Sequence, residues 1–187
     1  FFFKQKTAYE IYQCDWSSDV CSSDLIGNRI LEPWQYISVI VTSTEWDNWF
    51  ELRNHPDAQP DIQELALMMY EAMEESRPDV QSIHLPYITK EERIEYHQIA
   101  NGMKRLMEIS TARCARVSYL THDGKKPSIE NDYKLYNQLV GSRPLHASPT
   151  EHQAITVSET NFIKNFRGWE QHRVLVEKEI YNQESKK

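Results

Sequence analysis

The spacing of apolar residues along this chain predicts several short amphipathic helices. The first lies at 45–54, where three aromatic side chains and one arginine share the spacing of a single helical face: Trp46, Trp49, Phe50 and Arg53. A second stripe follows Pro60, which suits the first turn of a helix, and ends before Pro78, which cannot continue one. Its members are Ile62, Leu65, Ala66, Met69 and Met73.

Capping signals predict where further helices begin. Thr89–Glu92 and Ser148–Glu151 both have the Ser/Thr-x-x-Glu form of a capping box, and the second has proline at its first helical position. Ser128 is the expected N-cap of a helix that stops at Gly141, and another helix is expected through Thr111–Val117.

Extended structure is predicted at two places. Trp34–Thr44 is rich in β-branched and aromatic residues, and Ile155–Val157 has the same character over a shorter length. Phe162–Lys178 is predicted to form a final helix, and His122–Pro127 a loop. Together these elements predict an α/β or mostly helical domain.

Composition excludes several classes of protein. The formal net charge of −7 gives no support to nucleic-acid binding. No run of about 18 apolar residues is present, so we expect no membrane span. Outside the first 25 residues Cys114 is the single cysteine, which predicts no disulfide framework and favours a cytoplasmic location.

The first 25 residues resemble a translated sequencing adapter. Lys4–Ile11 and Asp15–Leu25 match, in frame, two halves of a common short-read library primer separated by the length of an index. Such scars do not belong in fold reasoning. We therefore expect residues 1–25 to be an artefactual segment and 26–187 to be a partial domain, incomplete at its N-terminus.

Arg53 carries the sharpest chemical signal, because its phase places a guanidinium on the aromatic face of its own helix. A buried arginine needs a partner, and one interpretation is a pair with Asp57 or Glu51, or a side chain that reaches solvent at the edge of the face. The other is a cleft arginine that binds an anion or a carbonyl-rich ring through its planar fork. Asn48 lies about 140° around the helix and would address a different group.

The segment His146–His152, HASPTEH, is the second signal. One interpretation is structural: Ser148 and Glu151 would cap the first turn of a helix. The other is functional: the N-terminus of that helix, next to His146, would bind an anion. The histidine spacing fits no standard zinc signature, so no metal is expected. A basic set in the last predicted helix is compatible with a phosphate site and with an ordinary solvated face: Arg167, His172 and Arg173.

Four segments together resemble motifs of the flavin-dependent thymidylate synthases. They are Thr42–Ala66 with Asn48, Leu52-Arg53, Ala58-Gln59 and Asp61-Ile62, then Ala112–Tyr119 (ARCARVSY), His146–His152 (HASPTEH) and Arg167–Arg173 (RGWEQHR). In the common family form the last three precede the first. The order here resembles a circularly permuted variant, of the kind often carried by phages.

The resemblance implies an α/β (α+β) fold that is helix-rich with a small sheet. It also implies an enzyme that converts dUMP to dTMP by reductive methylation. FAD is the implied cofactor, methylenetetrahydrofolate and NADPH are the implied co-substrates, and the family forms a homotetramer with shared sites. Arg53 would be catalytic, at the N3–O4 edge of dUMP. Six residues would bind FAD: Asn48, Ser148, His146, Glu151, His172 and Arg173. The implied partners are dUMP and folate, with no nucleic acid and no membrane.

The chain departs from the family pattern at several positions. Thr42–Thr44 replaces the family's Asn-x-Arg, Gly168 and Gln171 replace a glutamine and an arginine, and no Ser-x-Asn-x-x-Ser run follows Arg173. We expect that run upstream of Ile26, and we expect this chain not to make dTMP on its own. Two alternatives stay open: a non-catalytic nucleotide- or flavin-binding remnant, and a His-based metal hydrolase.

Overall fold

The computed structural model describes residues 38–117, 128–142, 145–158, 162–163 and 166–185. These residues belong to two compact units. The helical unit has its described residues at 38–41 and within Leu85–His152, and the sheet unit contains those within Thr42–His84 and Gln153–Lys187. The predicted class, helix-rich with a small sheet, is confirmed at this coarse level.

The described helices are α1 (Asp47–Arg53), α2 (Pro60–Glu75), α3 (Lys90–His97), α4 (Gly102–Ala115), α5 (Ile129–Gly141) and α6 (His172–Glu184). A single 3₁₀ turn, Ser148–Glu151, lies between α5 and the strands that follow it. The described strands are β1 (Ile83–His84), β2 (Ala154–Thr156), β3 (Phe162–Ile163), β4 (Phe166–Arg167) and β5 (Trp169–Gln171). None of these helices is both long and apolar enough to cross a membrane.

Local capping determines where two helices of the helical unit begin. The Thr89 amide donates to Glu92 Oε2 at 2.9 Å, and the Glu92 amide donates to Thr89 Oγ1 at 3.2 Å, which confirms the first capping box. The Ser128 hydroxyl accepts from the Asn131 amide at 3.3 Å, as predicted, and α5 ends at Gly141. Each bond satisfies an amide that the first turn of a helix leaves without a partner.

Helix α4 forms the core of the helical unit. It starts at Gly102, nine residues before the predicted Thr111, and stops at Ala115. Asn101 precedes it in the left-handed conformation with φ 60°, and Gly102 lies so close to the backbone of α3 that only a residue without a Cβ fits. Helix α4 contributes buried apolar side chains to this core: Leu106, Met107, Ile109, Ala112 and Cys114.

The sheet unit is built on three short antiparallel strands in the order β1-β2-β5. Ile83 pairs with Ile155, and Thr156 pairs with Trp169. The strand predicted at Ile155–Val157 is confirmed, shifted by one residue. A separate pair, β3 with β4, is also antiparallel.

One predicted strand and part of one predicted helix are not found. Residues 38–44, the described part of the strand predicted at Trp34–Thr44, form no strand, and residues 34–37 lie outside the described residues. The helix predicted at Phe162–Lys178 is confirmed only from His172. Before it the described elements are three short strands, Phe162–Ile163, Phe166–Arg167 and Trp169–Gln171. Gly168, with φ 73°, makes the turn between β4 and β5, and pairing of β5 with β2 outweighs the weak helical pattern. The predicted loop at 122–127 lies outside the described residues.

Candidate functional site

Helices α1 and α2 pack on each other and position the residues of the strongest motif. The Trp46 and Phe50 rings stack with centroids 6.2 Å apart, and Phe50 meets Tyr70 of α2 edge-on at 5.3 Å. Pro60 occupies the first turn of α2, as predicted, and Ala66 is buried. This aromatic contact fixes α1 against α2.

Arg53 occupies the last turn of α1 and is exposed. On the predicted aromatic face Trp46, Trp49 and Phe50 are half-buried, and no residue of α1 is fully buried. The proposed pairing with Asp57 is not formed, since Asp57 lies 3.6 Å from His55 Nδ1. Among the described residues Arg53 has no ion-pair partner, and its guanidinium stands in solvent beside an aromatic surface. This exposure fits the interpretation in which the side chain reaches solvent at the edge of the aromatic face, and it leaves the guanidinium accessible.

Two neighbours of Arg53 on α1 carry polar groups. Asn48 is exposed, so its amide is accessible. The indole Nε1 of Trp49 is buried and has no hydrogen-bond acceptor within the part of the chain that the structure describes. A buried donor without an acceptor costs roughly 1–3 kcal/mol. Sequence reasoning treated Trp49 only as part of an apolar face and missed this donor.

Strand β4 approaches the chain just before α1. The Arg167 amide donates to Thr44 Oγ1 at 3.0 Å, and its guanidinium lies 3.9 Å from the Glu45 carboxylate. The structure thus brings the cation of Arg167 to the N-terminal side of the helix that carries Asn48. This proximity was not predicted, because residues 44 and 167 are far apart in sequence.

The predicted basic set does not share one helical face. Arg167 belongs to β4, whereas His172 and Arg173 open α6. His172 is 3% exposed, and its backbone amide donates to the Gln153 carbonyl at 2.8 Å. Arg173 Nε donates to Glu177 at 2.7 Å, one turn along the helix. Of the three, only Arg167 presents a well-exposed cation.

The HASPTEH segment lies in the helical unit. Ser148 is exposed, but it does not cap a helix: Ala147 is the N-cap of a 3₁₀ turn without a side-chain cap. Thr150 instead donates its hydroxyl to the Ala147 carbonyl at 2.6 Å. The predicted second capping box is wrong because the turn begins at Ser148 itself, so Ala147 occupies the N-cap position and has no side chain that could cap it. His146 is exposed and Glu151 half-buried.

The most developed polar arrangement among the described residues was not predicted. Asp132 of α5 is fully buried, and its two oxygens contact Arg113 Nε at 3.2 Å and Arg116 of α4. Arg113 also donates to both oxygens of Glu92, at 2.6 and 2.8 Å, and to the Tyr87 carbonyl at 2.7 Å. These four charged residues, Glu92, Arg113, Arg116 and Asp132, form the α3–α5 ion cluster.

The α3–α5 ion cluster explains two arginines of the ARCARVSY segment. Hydrogen bonds from Arg113 lower the pKa of Glu92, and the same bonds raise the pKa of Arg113. Two carboxylates balance two guanidiniums, so the buried charge is compensated. Arg113 and Arg116 therefore connect three helices and are not free to bind a ligand.

No three His, Cys, Asp or Glu side chains gather as metal ligands within the described residues. Comparison of the chain with protein-family models, curated proteins and solved structures finds no match.

Proposed function

We propose that this chain derives from a flavin-dependent thymidylate synthase and that α1 carries its nucleotide-binding residues. Four motifs in a consistent permuted order support the assignment, together with a helix-rich fold that contains a small sheet. The observation that carries it is Arg53: an exposed guanidinium without a described ion-pair partner, on the aromatic side of α1.

The residues of α1 suit a planar, carbonyl-rich ligand. Arg53 offers a rigid fork of donors that matches two acceptors on one ring edge, such as N3 and O4 of an ionised pyrimidine. The adjacent aromatic rings supply apolar surface for the face of the ring. In the proposed reaction Arg53 stabilises the enolate that develops on dUMP, because a fixed cation acts where the charge appears.

At α1 the fit to FAD rests on Asn48, which presents an accessible amide. The Trp49 indole donor is buried, so a flavin carbonyl cannot reach it in this arrangement. When bound, FAD supplies the hydride chemistry that the chain itself lacks. His172 does not fit, because it is buried, and Arg173 is already paired with Glu177. Ser148 and His146 are exposed in the helical unit.

The test of Arg53 is dUMP binding in the presence of saturating FAD, measured by isothermal titration calorimetry. Arg53→Lys keeps the charge and loses the fork. We expect dUMP affinity to fall about tenfold or more, since a charge-assisted bond contributes roughly 1.5–3 kcal/mol. Arg77→Lys is the matched control, because Arg77 is also exposed in the sheet unit, and it should bind like wild type.

Two results would contradict this assignment. Equal dUMP affinity in wild type and Arg53→Lys would remove Arg53 from the site. An equal loss of dUMP affinity in Arg53→Lys and Arg77→Lys would show that dUMP binding does not depend specifically on Arg53. The metal hydrolase stays an alternative without a supporting cluster, and bound zinc in stoichiometric amount without flavin would favour it.

A further inference from the structure

Helix α2 has an apolar face that the fold does not use. Ala66 points into the sheet unit, but a second row at helical spacing is exposed: Leu65 at 51%, Met68 at 61%, and Ala72. We call these three residues the α2 stripe. Single exposed apolar residues are ordinary, whereas a row that continues over two turns of a helix is typical of an interaction surface.

Acidic residues border the α2 stripe. Glu64, Glu71 and Glu75 are exposed and fall on the helical row beside it; we call them the acidic row. Over its whole length α2 has five acids, which include Asp61 and Glu74, and no lysine or arginine. Leu67, Tyr70 and Met73 are exposed elsewhere on the helix, at 43% each. The α2 stripe is the apolar row that follows Asp61 and has negative charge along one side.

The charge on α2 indicates which kind of partner can bind the α2 stripe: a second copy of the chain, a membrane or a helix of another protein. A second copy that paired α2 with α2 would place acids against acids in either direction, because both ends of the helix are acidic. An acidic surface is likewise repelled by an anionic membrane. A helix with an apolar ridge and a basic flank satisfies both features at once, because its ridge covers the stripe and its cations meet the acidic row.

We propose that α2 is a docking surface for a basic amphipathic helix of another protein. The apolar ridge contributes the affinity, and the acidic row sets the orientation and selects basic partners. This proposal is independent of the proposed enzymatic function, since neither Asn48 nor Arg53 belongs to the α2 stripe or the acidic row.

The probe is a fluorescein-labelled helical peptide with leucines at ridge spacing and lysines on one flank, matched to the 16 residues of α2. Binding to the full chain is followed by fluorescence anisotropy. Two control peptides have the same composition in scrambled order and glutamate in place of lysine. We expect saturable binding of the first peptide only, and binding that weakens as salt rises.

Variants of the chain separate the two features. Met68→Gln, alone and together with Leu65→Gln, should lower the affinity for the peptide about tenfold or more. This is the loss expected when an apolar contact of the size of Leu or Met is removed. Neutralising the acidic row to glutamine should weaken binding and flatten its salt dependence. A matched triple variant removes three exposed acids of the helical unit instead and should bind normally: Glu91→Gln, Glu95→Gln and Glu130→Gln.

Three outcomes would overturn the proposal. The scrambled peptide could bind as tightly as the designed one, which would indicate non-specific attraction. Met68→Gln could leave the affinity unchanged while circular dichroism shows an intact fold. Sedimentation could show self-association of the chain that Met68→Gln abolishes, which would make a second copy the occupant.

Discussion

The α3–α5 ion cluster makes Asp132 the residue whose replacement tests the helical unit most severely. Asp132→Asn keeps the shape of the side chain and removes its charge. The amide oxygen could still accept from one guanidinium, but neither arginine would keep a charged partner at position 132. Arg116 would retain the Asn131 carbonyl at 3.0 Å, and Arg113 would retain Glu92. The new amide would also turn N–H donors toward guanidinium donors, which cannot accept them.

The expected loss follows from burial. Removing one partner of a fully buried ion pair costs about 3–5 kcal/mol. Asp132 is fully buried, but the side chains of Arg113 and Arg116 are 20% and 17% exposed, so water relieves part of the cost. We expect the free energy of unfolding to fall by about 3 kcal/mol, or by roughly 6–12 °C in thermal midpoint for a chain of this size.

Urea unfolding followed by circular dichroism measures the loss, and amide hydrogen exchange locates it. Exchange should accelerate in α3, α4 and α5, because these helices meet at the cluster. Glu95→Gln is the control: Glu95 is an exposed acid on α3, and its replacement should change stability by less than about 0.5 kcal/mol. A loss that small for Asp132→Asn would show that the cluster does not hold these helices together.

Further expectations concern the same unit. Because Arg113 lowers the pKa of Glu92, the stability that Glu92 contributes is complete above the ordinary glutamate range and is lost as pH falls through the lowered value. Urea unfolding of wild type and Glu92→Gln should therefore differ at neutral pH and converge once the pH lies below that value. Gly102→Ala places a Cβ against a backbone carbonyl of α3 and should lower the thermal midpoint, whereas Gly141→Ala meets open space and should leave it unchanged or raise it; equal effects would contradict the packing argument. Ser148→Ala should leave stability unchanged, because Ser148 caps no helix, and a loss of about 1 kcal/mol in urea unfolding would restore its capping role.

The predictions that succeeded depend on interactions between residues close in sequence. The capping box at Thr89–Glu92, the Ser128 cap and the proline at the start of α2 act within one turn, so the pattern of residues is enough to locate them. The short strand at Ile155 also follows from a local run of β-branched residues.

The predictions that failed depend on distant partners. Strands β3 to β5 have two or three residues each, and β5 becomes extended because it pairs with β2, which no local pattern reports. The α3–α5 ion cluster joins residues 16 to 21 positions apart across three helices. Arg53 was correctly assigned to the end of a helix, but its exposure depends on what packs against α1, and here only one side of α1 meets α2.

The central claim is that this chain carries a flavin-binding residue on α1, and an equilibrium titration with FAD tests it most directly. Quenching of flavin fluorescence reports the bound fraction. The account predicts saturable binding that Asn48→Ala weakens about tenfold, as for the loss of one buried hydrogen bond, while Gln98→Ala, an exposed amide of the helical unit, leaves it unchanged. Absence of saturable binding, or binding that Asn48→Ala does not alter, would contradict it.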